Sequence, residues 1–268
     1  MFLVKILPFI IGLVFSFIFF IPASWADFML SRFSGNALSF VNSAGTIWSG
    51  SGDLVLKPSR IFPDTGEVSE NDINSEEIIY IAKKINWTIT FDKIDFNDFG
   101  LIVNLKHHLI NWNENSQIKI SKNFIEIPKG EINLKSLNLS SGNGILAFFK
   151  PRFGLNIIWN QFSFSRESDF STPFVGQIYL NNLETSISPI KPLGSYKIEI
   201  TRDNASFKWF MKSIEGSSLA FDARGDYLKF LRGSGELKCL RHCEYMNNLL
   251  STVGKKQGDN VYGFAFGN

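Results

Sequence analysis

Apolar side chains return at every second position along most of this chain. The run Ile85, Trp87, Ile89, Phe91 alternates with polar residues, as do Leu101, Val103, Leu105 and Tyr196, Ile198, Ile200. Shorter stretches repeat the pattern: Ile118 and Ile120; Ile132 and Leu134; Phe207, Trp209 and Met211; Leu219, Phe221 and Ala223. A period of two sends successive side chains to opposite faces of a strand, so each run buries one face and wets the other. Turn-forming residues break the runs at Asn97-Asp98-Phe99-Gly100, Pro128-Lys129-Gly130, Ser140 to Gly144, Asp203-Asn204, Glu215-Gly216 and Arg232 to Gly235. Connections this short make antiparallel hairpins rather than βαβ crossovers. The expected fold is mainly β: a strongly twisted antiparallel sheet, curved or folded over on itself. Trp87, Ile89, Leu101, Val103, Leu105, Ile198, Trp209 and Phe221 should face its interior.

Composition agrees. Among 268 residues there are 27 Phe but 4 Met, and 44% are hydrophobic, enough to bury a core with strand-favouring side chains. With 27 basic and 25 acidic residues the net charge is +2, which supplies no strong field for nucleic acid. Two cysteines exclude a disulfide-stapled scaffold and a multi-cysteine zinc or iron–sulfur framework.

From Ile6 to Ile21 no residue is charged, and Pro22-Ala23-Ser24-Trp25-Ala26 follow before Asp27. Counted to Ala26 the segment reaches the roughly 20 residues that span a bilayer. Residues 1–26 are therefore expected to form one membrane anchor, with Trp25 at the interface and Lys5 on the cytoplasmic side. The competing reading is a cleavable signal peptide, since Ser24-Trp25-Ala26 resembles a small-x-small cleavage site. Either way residues 27–268 are exported as one β-rich domain. Within it, Ser59 to Ile73 reads as an exposed loop and Ser75 to Lys84 as a short helix, together an insertion at 59–84.

Near the C-terminus, Tyr245, Met246, Leu249 and Leu250 share a face of a helix over Glu244 to Val253, with Gly254 as its cap. Cys239 and Cys243 are one helical turn apart and pair if the compartment is oxidising; the alternative is two reduced, half-buried thiols. Ala44 to Gly52 crowds small residues around Trp48, and reads as a sheet corner plugged by that indole.

The common catalytic and phosphate-binding motifs are absent from the sequence. There is no Gly-x-Ser-x-Gly, no Gly-x-x-x-x-Gly-Lys-Ser/Thr and no His-Glu-x-x-His. Gly142-Asn143-Gly144-Ile145-Leu146-Ala147 mimics a dinucleotide fingerprint but runs straight into Phe148-Phe149-Lys150-Pro151, leaving no helix to hold a pyrophosphate. His107 and His108 fall on opposite faces of a strand. Asp92, Asp95, Asp98, Glu126 and Glu131 read as surface charge. No catalytic, metal or cofactor residues are nominated, and a binding or scaffold role is expected rather than an enzyme.

The chain resembles the type II secretion system protein N family, also called general secretion pathway protein N. The resemblance rests on several places: the apolar segment running into Pro22-Ala23; Gly45-Thr46-Ile47-Trp48-Ser49-Gly50-Ser51; Trp87; Ser188-Pro189; Pro192-Leu193-Gly194-Ser195-Tyr196; Glu215-Gly216 with the glycines at 225, 233 and 235; and Leu249-Leu250 with Gly254. The acidic stretch between Pro58 and Lys84 and the cysteine pair depart from the family pattern. The resemblance implies a single-pass inner-membrane protein with a periplasmic β domain, an accessory part in exporting folded proteins, and contacts with other secretion subunits or exoprotein cargo. It implies no catalytic residue and no cofactor. Gly45, Thr46, Trp48, Gly50, Trp87, Pro192, Leu193, Gly194 and Tyr196 are its shared structural positions. The alternative function is lipid handling by an AsmA-like curved sheet, which requires an open groove lined with apolar residues, whereas a docking subunit should show a closed core.

Overall fold

The computed structural model describes residues 12–13, 16–57, 79–94, 99–112, 117–139, 148–165, 169–170, 173–203, 206–227 and 231–267. It is mainly β and antiparallel throughout. The described residues gather into two compact units, one running to His107 and taking in Gln117–Lys122, the other holding the rest.

In the first unit helix α1 (Ser24–Phe33) leads into β1 (Leu38–Gly45), β2 (Ser49–Leu56), β3 (Ile79–Ile94), β4 (Phe99–Lys106) and, after residues of the other unit, β6 (Ile118–Ser121). These pair in the order β1-β2-β3-β4-β6. The alternation read from the sequence is realised in β3, where Ile85 and Trp87 are buried while Asn86, Thr88 and Thr90 are exposed. Residues 79–84 correct the expected helix: they are strand, because Ile79, Tyr80 and Ala82 find partners in Leu56, Val55 and Leu54, and cross-strand pairing overrides local helix preference. Lys84, in the left-handed region at φ 61°, absorbs the shift of register, its amide donating to Asp53 Oδ1 at 2.8 Å. The expected loop over 59–73 lies outside the described residues.

The second unit carries β5 (Ile110–Asn111), β7 (Phe124–Ile127), β8 (Gly130–Asn138), β9 (Arg152–Trp159), β10 (Phe162–Ser165), β11 (Asp169–Phe170), β12 (Val175–Glu184), β13 (Gly194–Asp203), β14 (Ser206–Ser213), β15 (Leu219–Tyr227), β16 (Leu231–Cys239), helix α2 (Cys243–Val253), β17 (Lys255–Gly258) and β18 (Val261–Phe266). Ten of these strands form one open sheet, β17-β18-β16-β15-β14-β13-β12-β9-β8-β5, and β7-β10-β11 form a shorter ladder. The expected turn at Arg232 to Gly235 is instead the interior of β16. Its glycines belong to the sheet face, not to a bend.

Helix α2 forms where expected. Met246 and Leu250 are buried against Leu193, Leu219, Leu237 and Tyr262, and the Gly254 amide donates to Leu250 O at 2.9 Å. Tyr245, expected on the packed face, is exposed. Cys239 and Cys243 are joined, their Cα atoms 5.5 Å apart, which ties the start of α2 to the end of β16.

No helix among the described residues is long and apolar enough to cross a membrane. Residues 1–11 and 14–15 of the expected anchor lie outside them; 12–13 and 16–19 are helical.

Candidate functional site

The register of the ten-stranded sheet decides what each face presents. One row across it reads Gly130, Trp159, Gly176, Ile200, Trp209, Gly225, Gly233, Phe266; the next reads Ile132, Ile157, Ile178, Ile198, Met211, Ala223, Gly235, Phe264. Directly paired residues in antiparallel strands point the same way, so both rows of this face are apolar. The opposite face is mixed: one row there runs Glu131, Ile158, Gln177, Glu199, Phe210, Arg224 and Ser234, with Lys197 and Glu199 in an ion pair at 2.7 Å.

Tryptophans sit across from glycines. Trp159 pairs with Gly130 and Gly176, Trp209 with Gly225, and in the first unit Trp87 with Gly50. A Cβ on Gly130, Gly225 or Gly233 would run into the indole of Trp159 or Trp209. Each ring thus lies over strand backbone that has no side chain, the arrangement by which an aromatic covers a strand glycine. The indole N–H groups donate to backbone carbonyls: Trp159 to Pro128 at 2.8 Å, Trp209 to Arg232 at 3.2 Å and Trp87 to Ile47 at 3.0 Å.

Part of the apolar face is covered. At one end α2 and Leu193 close over Leu219, Leu237 and Tyr262. Beyond them the face stays open as a groove of about 550 Å3, lined by Phe174, Ile178, Ile198, Ile200, Phe207, Trp209, Met211, Tyr227, Leu231 and Phe266. Of these side chains only the Tyr227 phenol and the Trp209 indole carry an oxygen or nitrogen, and the indole N–H is already engaged. Arg202 stands at the end away from α2, in register with Phe207, Tyr227 and Leu231, its guanidinium 5.1 Å from the Phe207 ring. A surface of this kind binds apolar groups by removing them from water and offers a cation beside them.

Sequence-predicted residues fall on both units. Ile198, Trp209 and Phe221 lie on the apolar face, and the first two line the groove. In Pro192-Leu193-Gly194-Ser195-Tyr196, the Leu193 carbonyl accepts from Ser218 and Leu219, and a Cβ on Gly194 would strike Ser217, whose hydroxyl accepts from the Ser195 amide. The Lys191–Pro192 bond is cis. Tyr196 is buried at 1% exposure, donating to Leu219 O at 3.0 Å. This element therefore joins β12, β13 and β15 and is structural.

The plug assigned to Trp48 is corrected. Gly45 has the positive φ (92°) that its bend needs, and the Thr46 amide donates to Ser49 O at 2.9 Å. The space over Gly50, however, is filled by Trp87, whose ring a Cβ would meet at 2.6 Å. Trp48 is half-buried, packs against Phe91 with tilted rings whose centres are 5.2 Å apart, and donates to Ile18 O at 2.7 Å.

His107 bonds the Lys83 carbonyl at 2.9 Å through Nε2, Asp92 is exposed, and Glu126 bonds Gln161. None of them lines the groove. Asp95, Asp98 and the 142–147 glycine pattern lie outside the described residues. No group of three His, Cys, Asp or Glu able to hold a metal occurs among the described residues. Arg202 was not nominated by sequence, because its place beside the groove depends on pairing with strands up to 29 positions away.

No family model, curated protein or solved structure matches this chain.

Burial pushes the Tyr196 phenol above the ordinary tyrosine range. The folded protein therefore holds that proton more tightly than the unfolded chain. The resulting stability is complete below about pH 10 and is lost as pH rises through the raised folded value. Tyr196→Phe is expected to cost about 1 kcal/mol at neutral pH through the lost hydrogen bond, and to flatten the alkaline loss. Urea midpoints at neutral and alkaline pH measure both.

Proposed function

We propose that this chain is an accessory component of a type II secretion system, anchored in the inner membrane by residues 1–26 and acting in the periplasm by contact, without catalysis or cofactor. The sequence resemblance supplies the system and the compartment. The observation offered for the contact is an exposed apolar groove of about 550 Å3 on the ten-stranded sheet, and it departs from the closed core expected of a docking subunit. Such a surface seats an apolar stretch of another secretion subunit or of exported cargo. The joined Cys239 and Cys243 suit an oxidising compartment.

A second reading, lipid handling, is favoured by the groove being open among the described residues, and by Arg202 at its end away from α2. There an acyl chain lies along Ile198, Ile200 and Trp209 and an anionic head group meets the guanidinium. The two readings separate in one experiment. A photoreactive residue replacing Ile198, with Lys212 on the opposite face as control, is crosslinked in cells and the products are weighed. Adducts with secretion subunits or cargo from position 198 support the first reading; acyl-chain adducts support the second. Equal capture from both positions overturns the groove as the working surface.

A further inference from the structure

Helix α1 is built the wrong way round for a helix that only packs on a sheet. Its inward side carries Ala26, Asp27, Leu30 and Ser31. The Asp27 carboxylate is tied to β1, accepting from the Ser39 hydroxyl at 2.8 Å and the Phe40 amide at 2.7 Å, and Ser31 donates to Leu38 O at 3.3 Å. The outward side carries Trp25, Phe28, Met29 and Phe33, exposed by 51, 61, 46 and 85%. Those spacings of three, four and eight residues form one stripe. Large side chains are thus held in the solvent direction by a polar face that is engaged below.

What covers the stripe follows from what precedes it. The uncharged stretch runs on through Ala26 into the first turn of α1, which starts at Ser24, three residues after Ile21 and within roughly 11 Å of it. The junction is clamped. Ile47 donates to Ile21 O at 2.9 Å, Ala23 to Gly45 O at 3.1 Å, and the Trp48 indole to Ile18 O at 2.7 Å. Helix α1 cannot swing away from the segment without breaking those bonds. Beside the same junction, Phe91 and Phe99, 40 and 46% exposed, continue the aromatic surface from Trp48. Exposed Arg32 lies within the stripe, four residues after Phe28 and three after Met29, where its long side chain can reach out to lipid phosphate.

We propose that α1 lies in the plane of the membrane interface, on the periplasmic leaflet of the bilayer that the preceding segment enters. Trp25, Phe28, Met29 and Phe33 dip among the head groups and upper acyl carbons, and the first unit is thereby seated on the membrane surface rather than hanging from a free tether. This rests on the anchor reading proposed above.

The test uses the full chain in vesicles of phosphatidylcholine and phosphatidylglycerol in equal parts. Its two native cysteines are joined, so one introduced thiol takes an environment-sensitive fluorophore. Phe28→Cys and Phe33→Cys report α1, Phe17→Cys reports the anchor, and Glu215→Cys, in an exposed turn, reports water. Labels at 28 and 33 are expected to be quenched several-fold more than the label at 215 by a nitroxide near the head group, and less by one in mid-chain, where the label at 17 responds. Water-exposed labels at 28 and 33 with a quenched label at 17 overturn the proposal and leave the anchor standing. Quenching at 28 and 33 with position 17 exposed supports the interfacial helix and sinks the anchor. Exposure at all three overturns both.

Discussion

Trp87→Ala is expected to destabilise the first unit by about 3–5 kcal/mol, the largest effect of any single substitution considered for this protein. The indole is 4% exposed, faces Gly50 across the β2–β3 pair, packs against Phe40 with ring centres 5.2 Å apart and satisfies the Ile47 carbonyl. Its removal opens a cavity that cannot fill from the glycine side, and leaves a carbonyl in the β1–β2 bend without its donor. Trp48→Ala should cost distinctly less, because that ring is half-buried and packs against an exposed Phe91. Urea unfolding of both variants in detergent, followed by circular dichroism, decides it. If Trp48→Ala proves the more damaging, the plug belongs to Trp48 after all.

The second large effect concerns the floor of the groove. A Cβ on Gly225 would run into the backbone carbonyl of Arg232, and one on Gly233 into the ring of Trp209. Each glycine→alanine substitution is expected to cost about 1–3 kcal/mol, Gly225→Ala at or above the upper end. The two should differ in rescue. Trp209→Leu makes room for the methyl group that Gly233→Ala adds, because the obstacles there are the side chains of Trp209 and Phe266, while the nearest obstacle at Gly225 is the Arg232 backbone carbonyl, which loss of the indole hydrogen bond does not remove. A double-mutant cycle is therefore expected to show favourable coupling between 233 and 209 and far weaker coupling between 225 and 209. Equal rescue at both positions would mean that β16 shifts as a unit, and the Trp209–glycine packing would not be what spaces these strands.

Much of this molecule was legible in its residues. The period of two in Ile85, Trp87 and Ile89, or in Tyr196, Ile198 and Ile200, is a property of neighbours in the chain, and the strands appear there. The face of α2 bearing Met246 and Leu250 was equally local, for the same reason with a different period. The helix expected up to Lys84 gave way to strand over 79–84, where cross-strand partners outweighed local preference. The turn expected at Arg232 to Gly235 failed because a glycine looks alike in a bend and beneath a tryptophan.

Local chemistry along the chain was enough to require antiparallel sheet with a drier and a wetter face, since side-chain alternation is imposed by strand geometry at short range. It was not enough to say which tryptophan covers which glycine, that the dry face stays open beside Arg202, or that α1 turns its aromatic side outward. Those depend on register between strands distant in the chain and on one carboxylate, Asp27, finding donors in β1. Pairing over such separations is set by the sum of many contacts, and no window of neighbouring residues contains it.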